Sequence, residues 1–135
     1  MTRFDPAATP EQRRDAIRSM ATALSKDKRP ILIGPFRSEL GFEASYFQPF
    51  IAWLAKSVKG FNERAVLVTR GGLAPLYGGL ITKAVDLYSI RTVAEVRREN
   101  KYDLRTHGLQ KQVQQTAWDT QVLADAARAL GMHPG

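Results

Sequence analysis

The sequence predicts an α/β domain with a mainly parallel sheet, and three features support this prediction. Residues 31–33 and 65–68 form two short apolar runs rich in Ile, Leu and Val, as expected of strands buried on both faces. The stretch between them is long enough for a loop, a helix and a right-handed crossover, which is the connection that parallel neighbours require. A helical pattern before the first run supplies a helix to cover the sheet. We therefore expect residues 30–69 to form a strand, loop, helix and strand unit that carries any chemistry.

Composition limits the possible classes of protein. The chain has 135 residues, enough for one ordinary domain, and 44% of them are hydrophobic and 24% charged. No apolar run approaches the roughly 18 residues of a membrane span, and the first residues lack the apolar region of a secretory signal. Cysteine is absent, which excludes disulfides and thiolate metal sites. These features predict a cytoplasmic protein.

The chain is basic, with a net charge of +7 from 20 Lys and Arg against 13 Asp and Glu. Such an excess favours anionic partners, namely phosphates, nucleotides, nucleic acid or an acidic membrane surface. Six of the positive charges precede the first predicted strand: Arg13, Arg14, Arg18, Lys26, Lys28 and Arg29. The commoner explanation is a solvated helix face, and the alternative is a basic helix that could rest peripherally on acidic lipid.

The N-terminal segment predicts a capped helix. Thr9 is a capping residue, Pro10 suits the first helical position, and Gln12 follows three residues after the cap. Apolar residues then recur at helical spacing until a proline breaks the pattern. We therefore divide the chain into a basic helical segment, residues 1–29, that packs on a domain formed by residues 30–135.

The rest of the chain alternates between helical and strand patterns. A wide apolar stripe over residues 46–58 predicts a helix of about four turns, bent near Pro49 and ended by Gly60. The predicted elements that follow are a short helix around residues 77–81, a strand at 84–88, a helix from the Thr92 and Glu95 capping box to about 101, a loop at 102–115, and a helix at 118–130 with Gly131 as its C-cap.

Candidate binding residues follow the first two strands, where ligands of open parallel sheets bind. The loop from Gly34 to Glu43 offers glycines that permit close backbone approach, a guanidinium, a hydroxyl and a carboxylate. The candidates are Gly34, Arg37, Ser38, Gly41 and Glu43 in this loop, and Arg70, Gly71 and Gly72 after the second strand. Neither GxxxxGK[ST] nor GxGxxG is present, which disfavours a kinase or a dehydrogenase.

The two glutamates of this loop lead to different expectations. Glu39 would point into the cleft if the helix begins after it, and could then act as a general base, provided that burial raises its pKa. The alternative is that it complements the helix N-terminus electrostatically. Glu43 lies four residues later, and a structural role is favoured for it although it also stands among the candidate binding residues.

Other residues with chemical potential are less informative. Tyr46, Phe47, Phe50 and Trp53 follow the apolar stripe, so we expect core residues rather than a stacking platform. Lys111 and Gln112 could meet a phosphate or a sugar hydroxyl, although a lone lysine is usually solvated. His107 and His133 lack paired spacing, so no metal site is expected.

The first loop carries a family resemblance. Residues 34–43 read GPFRSELGFE and are followed by an aromatic pair, Tyr46-Phe47, and by Pro49-Phe50. This segment resembles the opening motif of bacterial glycosyltransferase-like proteins of surface-polysaccharide clusters, roughly G-P-[WF]-x-x-E-[VL]-G-[WFY]-E. The resemblance extends over about residues 30–130, with the first motif the most distinctive part.

The resemblance implies the N-terminal, acceptor-side half of a two-domain GT-B glycosyltransferase. Its fold would be a three-layer Rossmann-like domain, with helices on both faces of a mainly parallel sheet. Gly34, Glu39 and Gly41 would line the cleft, and Glu39 would be the catalytic base that deprotonates the acceptor hydroxyl. Arg70 and Lys111 would face phosphate or sugar. Such enzymes generally need no metal cofactor, since helix N-termini and basic groups stabilise the departing diphosphate.

The expected partners are a nucleotide-sugar donor and a glycan or lipid-linked acceptor. A second Rossmann domain, in the same chain or in a partner chain, would hold the donor, because residues 1–135 end where that domain would begin. The alternative is a non-catalytic basic module that binds an anionic ligand such as a nucleotide, a glycan or nucleic acid. Nucleic acid is the least favoured, since the aromatic residues follow a helical stripe expected to be buried.

Overall fold

The computed structural model describes residues 7–107 and 115–132, which form an α/β fold around a three-stranded parallel sheet. The regular elements are α1 (Pro10–Lys26), β1 (Ile31–Phe36), α2 (Leu40–Phe42), a π-helical turn (Glu43–Phe47), α3 (Gln48–Ser57), α4 (Phe61–Arg64), β2 (Ala65–Thr69), β3 (Lys83–Asp86), α5 (Val93–His107) and α6 (Ala117–Ala129). Two 3₁₀ helices, Ala74–Leu80 and Leu87–Ser89, lie on either side of β3.

The sheet has the order β1-β2-β3, so the strands are arranged as they occur in the chain. Both pairings are parallel, which confirms the prediction that the first two strands are parallel neighbours. Every residue of the central strand β2 is buried, as the continuous apolar run predicted. The register of β1 against β2 shifts between Ile33 and Phe36, where Pro35 has no backbone N–H to donate.

Two hydrophobic clusters lie against the sheet. Alternate residues of β1 enter different clusters: Ile31 and Ile33 enter one, and Leu32 packs against the other. Successive side chains of a strand point to opposite faces, so the two clusters cover opposite faces of the sheet. The first cluster includes residues of α1 and α3, and the second includes residues of α5 and α6.

Helix α1 begins as predicted. The Thr9 side chain accepts a hydrogen bond from the Gln12 backbone N–H at 3.2 Å, and the Gln12 side chain accepts one from the Thr9 backbone N–H at 2.8 Å. This is the reciprocal capping box that the sequence indicated. The helix contacts the first cluster through Ala21, Met20 and Leu24, so most of its remaining surface faces solvent.

The helix predicted for residues 46–58 is longer in the structure than predicted, because it already begins at Leu40. The backbone remains helical to Ser57, but it widens into the π-helical turn just before Pro49. Within that turn the Gln48 N–H donates to the carbonyl of Glu43, five residues back. Proline lacks an N–H and crowds the preceding turn, and a widened turn accommodates that crowding. The irregularity expected at the proline is therefore a π-helical turn.

Two predictions for the C-terminal half require correction. The third strand ends at Asp86, because the Asp86 side chain accepts a hydrogen bond from the Tyr88 N–H and starts a 3₁₀ turn. Helix α5 continues to His107, although residues from 102 onward were expected to form a loop. Tertiary contacts explain the extension, since Asp103 is buried and paired with Arg37. Residues 108–114 of the expected loop lie outside the described residues.

The predicted C-terminal helix is present as α6, with Gly131 at its end in the left-handed conformation at φ 69°. Thr116 caps this helix in a box with Asp119 that the sequence analysis did not identify. Within residues 7–107 and 115–132, no helix combines the length and the apolar character that crossing a membrane requires.

Candidate functional site

The segments predicted to carry chemistry meet at one edge of the sheet. The loop from Arg37 to Glu39 follows the carboxyl end of β1, and Arg70 follows the carboxyl end of β2. The two strands are parallel, so these ends lie side by side. Arg37 and Arg70 line the same cleft at this edge of the sheet.

This cleft has a volume of about 450 Å³, in the range of small-molecule sites. One wall comes from the loop after β1 and from Arg70, and the other comes from one side of helix α5. The residues that line it are Arg37, Ser38, Glu39, Arg70, Arg97, Asn100, Lys101 and Leu104.

Arg37 is buried, and its guanidinium is held by protein groups. Its Nε donates to Asp119 at 2.9 Å, and its Nη1 donates to Asn100 at 2.9 Å and to Asp103. Burial lowers the pKa of Arg37, but the hydrogen bonds that it donates to Asp119 and Asp103 outweigh this effect, so the pKa is raised. The sequence predicted a cation presented to a ligand, whereas Arg37 ties the loop to α5 and α6.

The carboxylate of Asp119 binds Arg37 and also takes part in the capping of α6. Asp119 is fully buried, and its Oδ2 accepts hydrogen bonds from the Thr116 N–H at 2.9 Å and from Arg37 Nη2 at 3.2 Å. Helix capping and the ion pair therefore depend on the same side chain. A buried arginine between two carboxylates costs free energy to desolvate, and it is retained only when its hydrogen bonds are well satisfied.

Glu43 is the second buried anchor of the loop. Its Oε1 accepts hydrogen bonds from Thr69 Oγ1 and from the Tyr77 hydroxyl, both at 2.7 Å, and its Oε2 lies 3.4 Å from Arg70 Nη1. Burial, together with the hydrogen bond to Glu43, raises the pKa of Tyr77 well above its usual value. Glu43 is fully buried and faces these groups, which supports the structural role that was favoured for it over ligand binding.

Arg70 is held in place on the cleft wall. Its Nη1 donates to the carbonyl of Phe36 at 2.9 Å, and 16% of its side chain is exposed. Gly71 and Gly72 turn the chain away with φ values of 60° and 73°, and the Gly72 N–H donates to Asp86 at 3.0 Å. These glycines serve the turn after β2, and they are not among the residues that line the cleft.

The two glycines of the first loop differ in their surroundings. A Cβ on Gly34 would lie 2.3 Å from the carbonyl oxygen of Val68, and φ at this residue is 109°. Only glycine fits there, because β1 approaches β2 too closely for a side chain. A Cβ on Gly41 would meet no atom within 4 Å. Gly34 is therefore required by the sheet, whereas the surroundings of Gly41 leave space beside the helix start.

Ser38 and Glu39 are the residues of this loop that line the cleft and whose side chains have no hydrogen-bond or ion-pair partner among residues 7–107 and 115–132. The Ser38 side chain is 3% exposed, and its Oγ has no hydrogen-bond partner in the described part of the chain. Glu39 is exposed, stands immediately before α2 and makes no capping hydrogen bond with its side chain. Of the two geometries left open for Glu39, the structure has the one in which the helix begins after this residue and Glu39 lines the cleft.

The opposite wall contributes residues that the sequence analysis missed. Arg97 and Lys101 lie four apart on α5, so they share one side of the helix, with Asn100 between them. The spacing was visible within the helix predicted from Thr92 to about Lys101. What the sequence did not reveal is that this side faces the loop after β1.

Of the four aromatic residues of the long helix that were expected in the core, Phe47 is half-buried and stacks on Phe36 with ring centroids 4.2 Å apart, whereas the other three are exposed. Tyr46 is 63% exposed, and Phe50 and Trp53 are 37% and 36% exposed. Phe50 stacks on Trp53 with ring centroids 6.2 Å apart. The buried residues of α3 are Ile51 and Leu54, so the stripe divides into a buried apolar side and an exposed aromatic side.

Two further candidates, Lys111 and Gln112, lie outside the described residues, and so does His133. In residues 7–107 and 115–132 there is no group of three or more His, Asp or Glu side chains arranged to hold a metal ion.

No protein-family model, no curated protein and no solved structure matches the chain. Function is therefore inferred from the geometry and chemistry of the cleft.

Proposed function

We propose that this chain is the acceptor-side half of a glycosyltransferase that transfers a sugar from a nucleotide-sugar to a glycan or lipid-linked acceptor. The observation that carries the proposal is the exposed carboxylate of Glu39 at a cleft outside the carboxyl ends of parallel strands. That edge is where open parallel sheets bind their ligands. The resemblance of residues 34–43 to glycosyltransferase-like proteins supplies the reaction class.

The fold agrees with the proposal at a coarse level. Helices α1 and α3 contribute to the cluster on one face of the parallel sheet, and α5 and α6 to the cluster on the other. We propose on this basis that the domain is a three-layer, Rossmann-like half of a GT-B enzyme. The nucleotide-sugar would be held by a second Rossmann domain, in the same protein or in a partner chain.

In the proposed reaction Glu39 is the general base. Its carboxylate accepts the proton of the acceptor hydroxyl while that oxygen forms a bond to the anomeric carbon of the donor sugar. The bond from that carbon to the diphosphate breaks, and the nucleoside diphosphate leaves with the electron pair. Proton transfer by a positioned carboxylate contributes about 10²- to 10⁴-fold to such a rate.

The environment of Glu39 indicates what else this reaction requires. Glu39 is exposed, and a general base works best when its pKa is raised towards the working pH by burial. A bound acceptor and a closing donor domain would supply that burial. Arg37 and Glu43 contribute by fixing the two ends of the loop, since both are buried and hydrogen-bonded within the domain.

The direct test is Glu39→Gln in the form of the protein that its source cells make, or in this chain reconstituted with the domain that binds the donor. Transfer is measured from a radiolabelled nucleotide-sugar. We expect turnover to fall by about 10²- to 10⁴-fold with the urea unfolding midpoint unchanged, because Gln cannot accept the proton. Glu63→Gln, an exposed glutamate on α4, is the matched control and should keep full turnover.

Turnover within a few-fold of the parent in Glu39→Gln would remove Glu39 as the base. A non-catalytic module that binds an anionic ligand is the second candidate, and the basic residues on the α5 wall of the cleft favour it. It would be supported if the native protein bound ligand through this cleft but transferred no sugar.

A further inference from the structure

We propose that the cleft contains a phosphate-binding subsite formed by Ser38, Arg70, Arg97 and Lys101. The subsite would hold the phosphate part of a ligand of the proposed transferase. It depends on the proposed function only for the claim that this ligand takes part in sugar transfer. Its existence depends on the geometry of the cleft itself.

The first observation is the hydroxyl of Ser38. Buried polar side chains are almost always hydrogen-bonded, and a buried polar atom with no partner requires an explanation. Ser38 is 3% exposed and lines the cleft, yet no group within the described ranges accepts or donates a hydrogen bond at its Oγ. An anion in the cleft would accept the hydrogen bond that this hydroxyl can donate.

The second observation is the set of cations that line the same cleft as Ser38. Arg97 and Lys101 extend from the same side of α5, and in the described part of the chain neither of them forms an ion pair. Arg70 approaches from the other wall, where its bond to the Phe36 carbonyl fixes its position. A guanidinium fixed in this way can bind phosphate without first losing rotational freedom.

The surrounding charges decide which cations attract a ligand. The charge of Arg37 is compensated by two buried carboxylates, and Arg70 lies 3.4 Å from the carboxylate of Glu43. Arg97 and Lys101 therefore supply the uncompensated positive charge of the cleft. Glu39 is the negatively charged residue among those that line it. Asn100 is engaged with the loop, because its Oδ1 accepts from Arg37 Nη1 at 2.9 Å and its Nδ2 donates to the Arg37 carbonyl at 3.5 Å.

These groups specify the class of ligand. Apart from Glu39, the polar groups described above are donors or cations, which suits an acceptor-only anion such as a phosphate ester. The cleft volume of about 450 Å³ exceeds what a phosphate alone fills, so it leaves space for an attached sugar or nucleoside. We therefore expect a diphosphate or a sugar phosphate, with its phosphate against Ser38 and the α5 wall.

Isothermal titration calorimetry on the full 135-residue chain tests this subsite with pyrophosphate and UDP as probes. In Ser38→Ala we expect pyrophosphate affinity to fall about tenfold, the value of one hydrogen bond to a charged group. The urea unfolding midpoint should stay the same or rise, since the lost hydroxyl had no partner among the described residues. A structural role for Ser38 would instead lower the midpoint.

A charge-matched pair of variants tests the cations. Arg97→Gln with Lys101→Gln removes two positive charges four residues apart on α5, and should weaken pyrophosphate binding by more than about tenfold. Arg14→Gln with Arg18→Gln removes two charges at the same spacing from α1, and should leave binding within about twofold, apart from screened long-range effects. Equal losses in both pairs would mean non-specific attraction and would overturn the subsite.

Glu39→Gln separates the subsite from the proposed reaction. Removing this negative charge from the cleft should tighten pyrophosphate binding by about two- to threefold, the size of a charge interaction across water. Tight anion binding together with unimpaired turnover in this variant would leave the subsite in place and refute the proposed base.

Full pyrophosphate affinity in Ser38→Ala would refute the role of Ser38. UDP binding more tightly than pyrophosphate would assign the remaining space to a nucleoside.

Discussion

The two glutamates of the loop, Glu39 and Glu43, should respond in opposite ways to the same truncation. Glu43→Ala removes the acceptor of two buried hydroxyls, those of Thr69 and Tyr77, which are 2% and 1% exposed. Glu39→Ala removes an exposed side chain that makes no capping hydrogen bond. The first variant should therefore lose much of its stability, and the second should lose almost none.

The contacts of Glu43 determine the size of the effect. Each hydroxyl left buried without an acceptor costs about 1–3 kcal/mol, which gives about 2–6 kcal/mol for Thr69 and Tyr77 together. The 3.4 Å contact with Arg70 contributes less, because that side chain is 16% exposed. We expect a net loss of about 3–5 kcal/mol, the usual cost of breaking a buried charged network. Domains of this size have about 5–15 kcal/mol in total.

Urea unfolding followed by circular dichroism measures the loss. With a slope of about 2 kcal/mol per molar urea, the midpoint of Glu43→Ala should fall by about 2 M. Glu39→Ala is the matched control and should remain within about 0.5 kcal/mol of the parent chain. Tyr77→Phe removes one of the two hydroxyl bonds and gives an intermediate loss of about 1–3 kcal/mol if Glu43→Ala does not fold.

Equal midpoints for the Glu43 and Glu39 variants would refute the structural role of Glu43. Glu43 would then return to the candidate binding residues, and the hydrogen bonds to Thr69 and Tyr77 would not hold the loop. A large loss in Glu39→Ala would likewise contradict its assignment as an exposed group available for chemistry.

Three further substitutions, and a control for one of them, test other parts of the structure by the same urea assay. Arg37→Met leaves its two buried carboxylate partners without a cation and should cost about 3–5 kcal/mol, whereas no loss would contradict the ion-pair tie. Gly34→Ala should cost at least about 1–3 kcal/mol or prevent folding, since the new Cβ meets a backbone oxygen at 2.3 Å, while Gly41→Ala should be well tolerated. Thr116→Ala should lower stability by about 0.5–2 kcal/mol through loss of the α6 cap, and a neutral result would mean that Asp119 holds the helix start alone.

Local signals explain why so much of the fold could be predicted. The Thr9 capping box and the β-branched runs of β1 and β2 act through neighbouring residues, so one sequence is enough to recognise them. The end of α5 was predicted less well, because it depends on a contact distant in sequence. Asp103 belongs to a helix because it meets Arg37, which lies 66 residues away.

The site could be predicted only in part for the same reason. Parallel strands place the loop after β1 beside Arg70, and this follows from topology alone. The partners of Arg37 and Glu43 are separated from them by 26 to 82 residues, so the sequence could not show that these side chains are already engaged. Likewise, hydrophobicity on α3 did not distinguish the buried Leu54 from the exposed Trp53, since both fit the helical stripe.

The measurement that tests the central claim most directly is a titration of the isotope-labelled chain with pyrophosphate, followed by ¹H–¹⁵N correlation spectra. The account predicts that the largest shift changes fall on Ser38, Glu39, Arg70 and residues 97–101, which line one cleft at the carboxyl edge of the sheet. Changes that fall instead on α1 or on the exposed aromatic side of α3, with the cleft unaffected, would contradict the assignment of this cleft as the functional site.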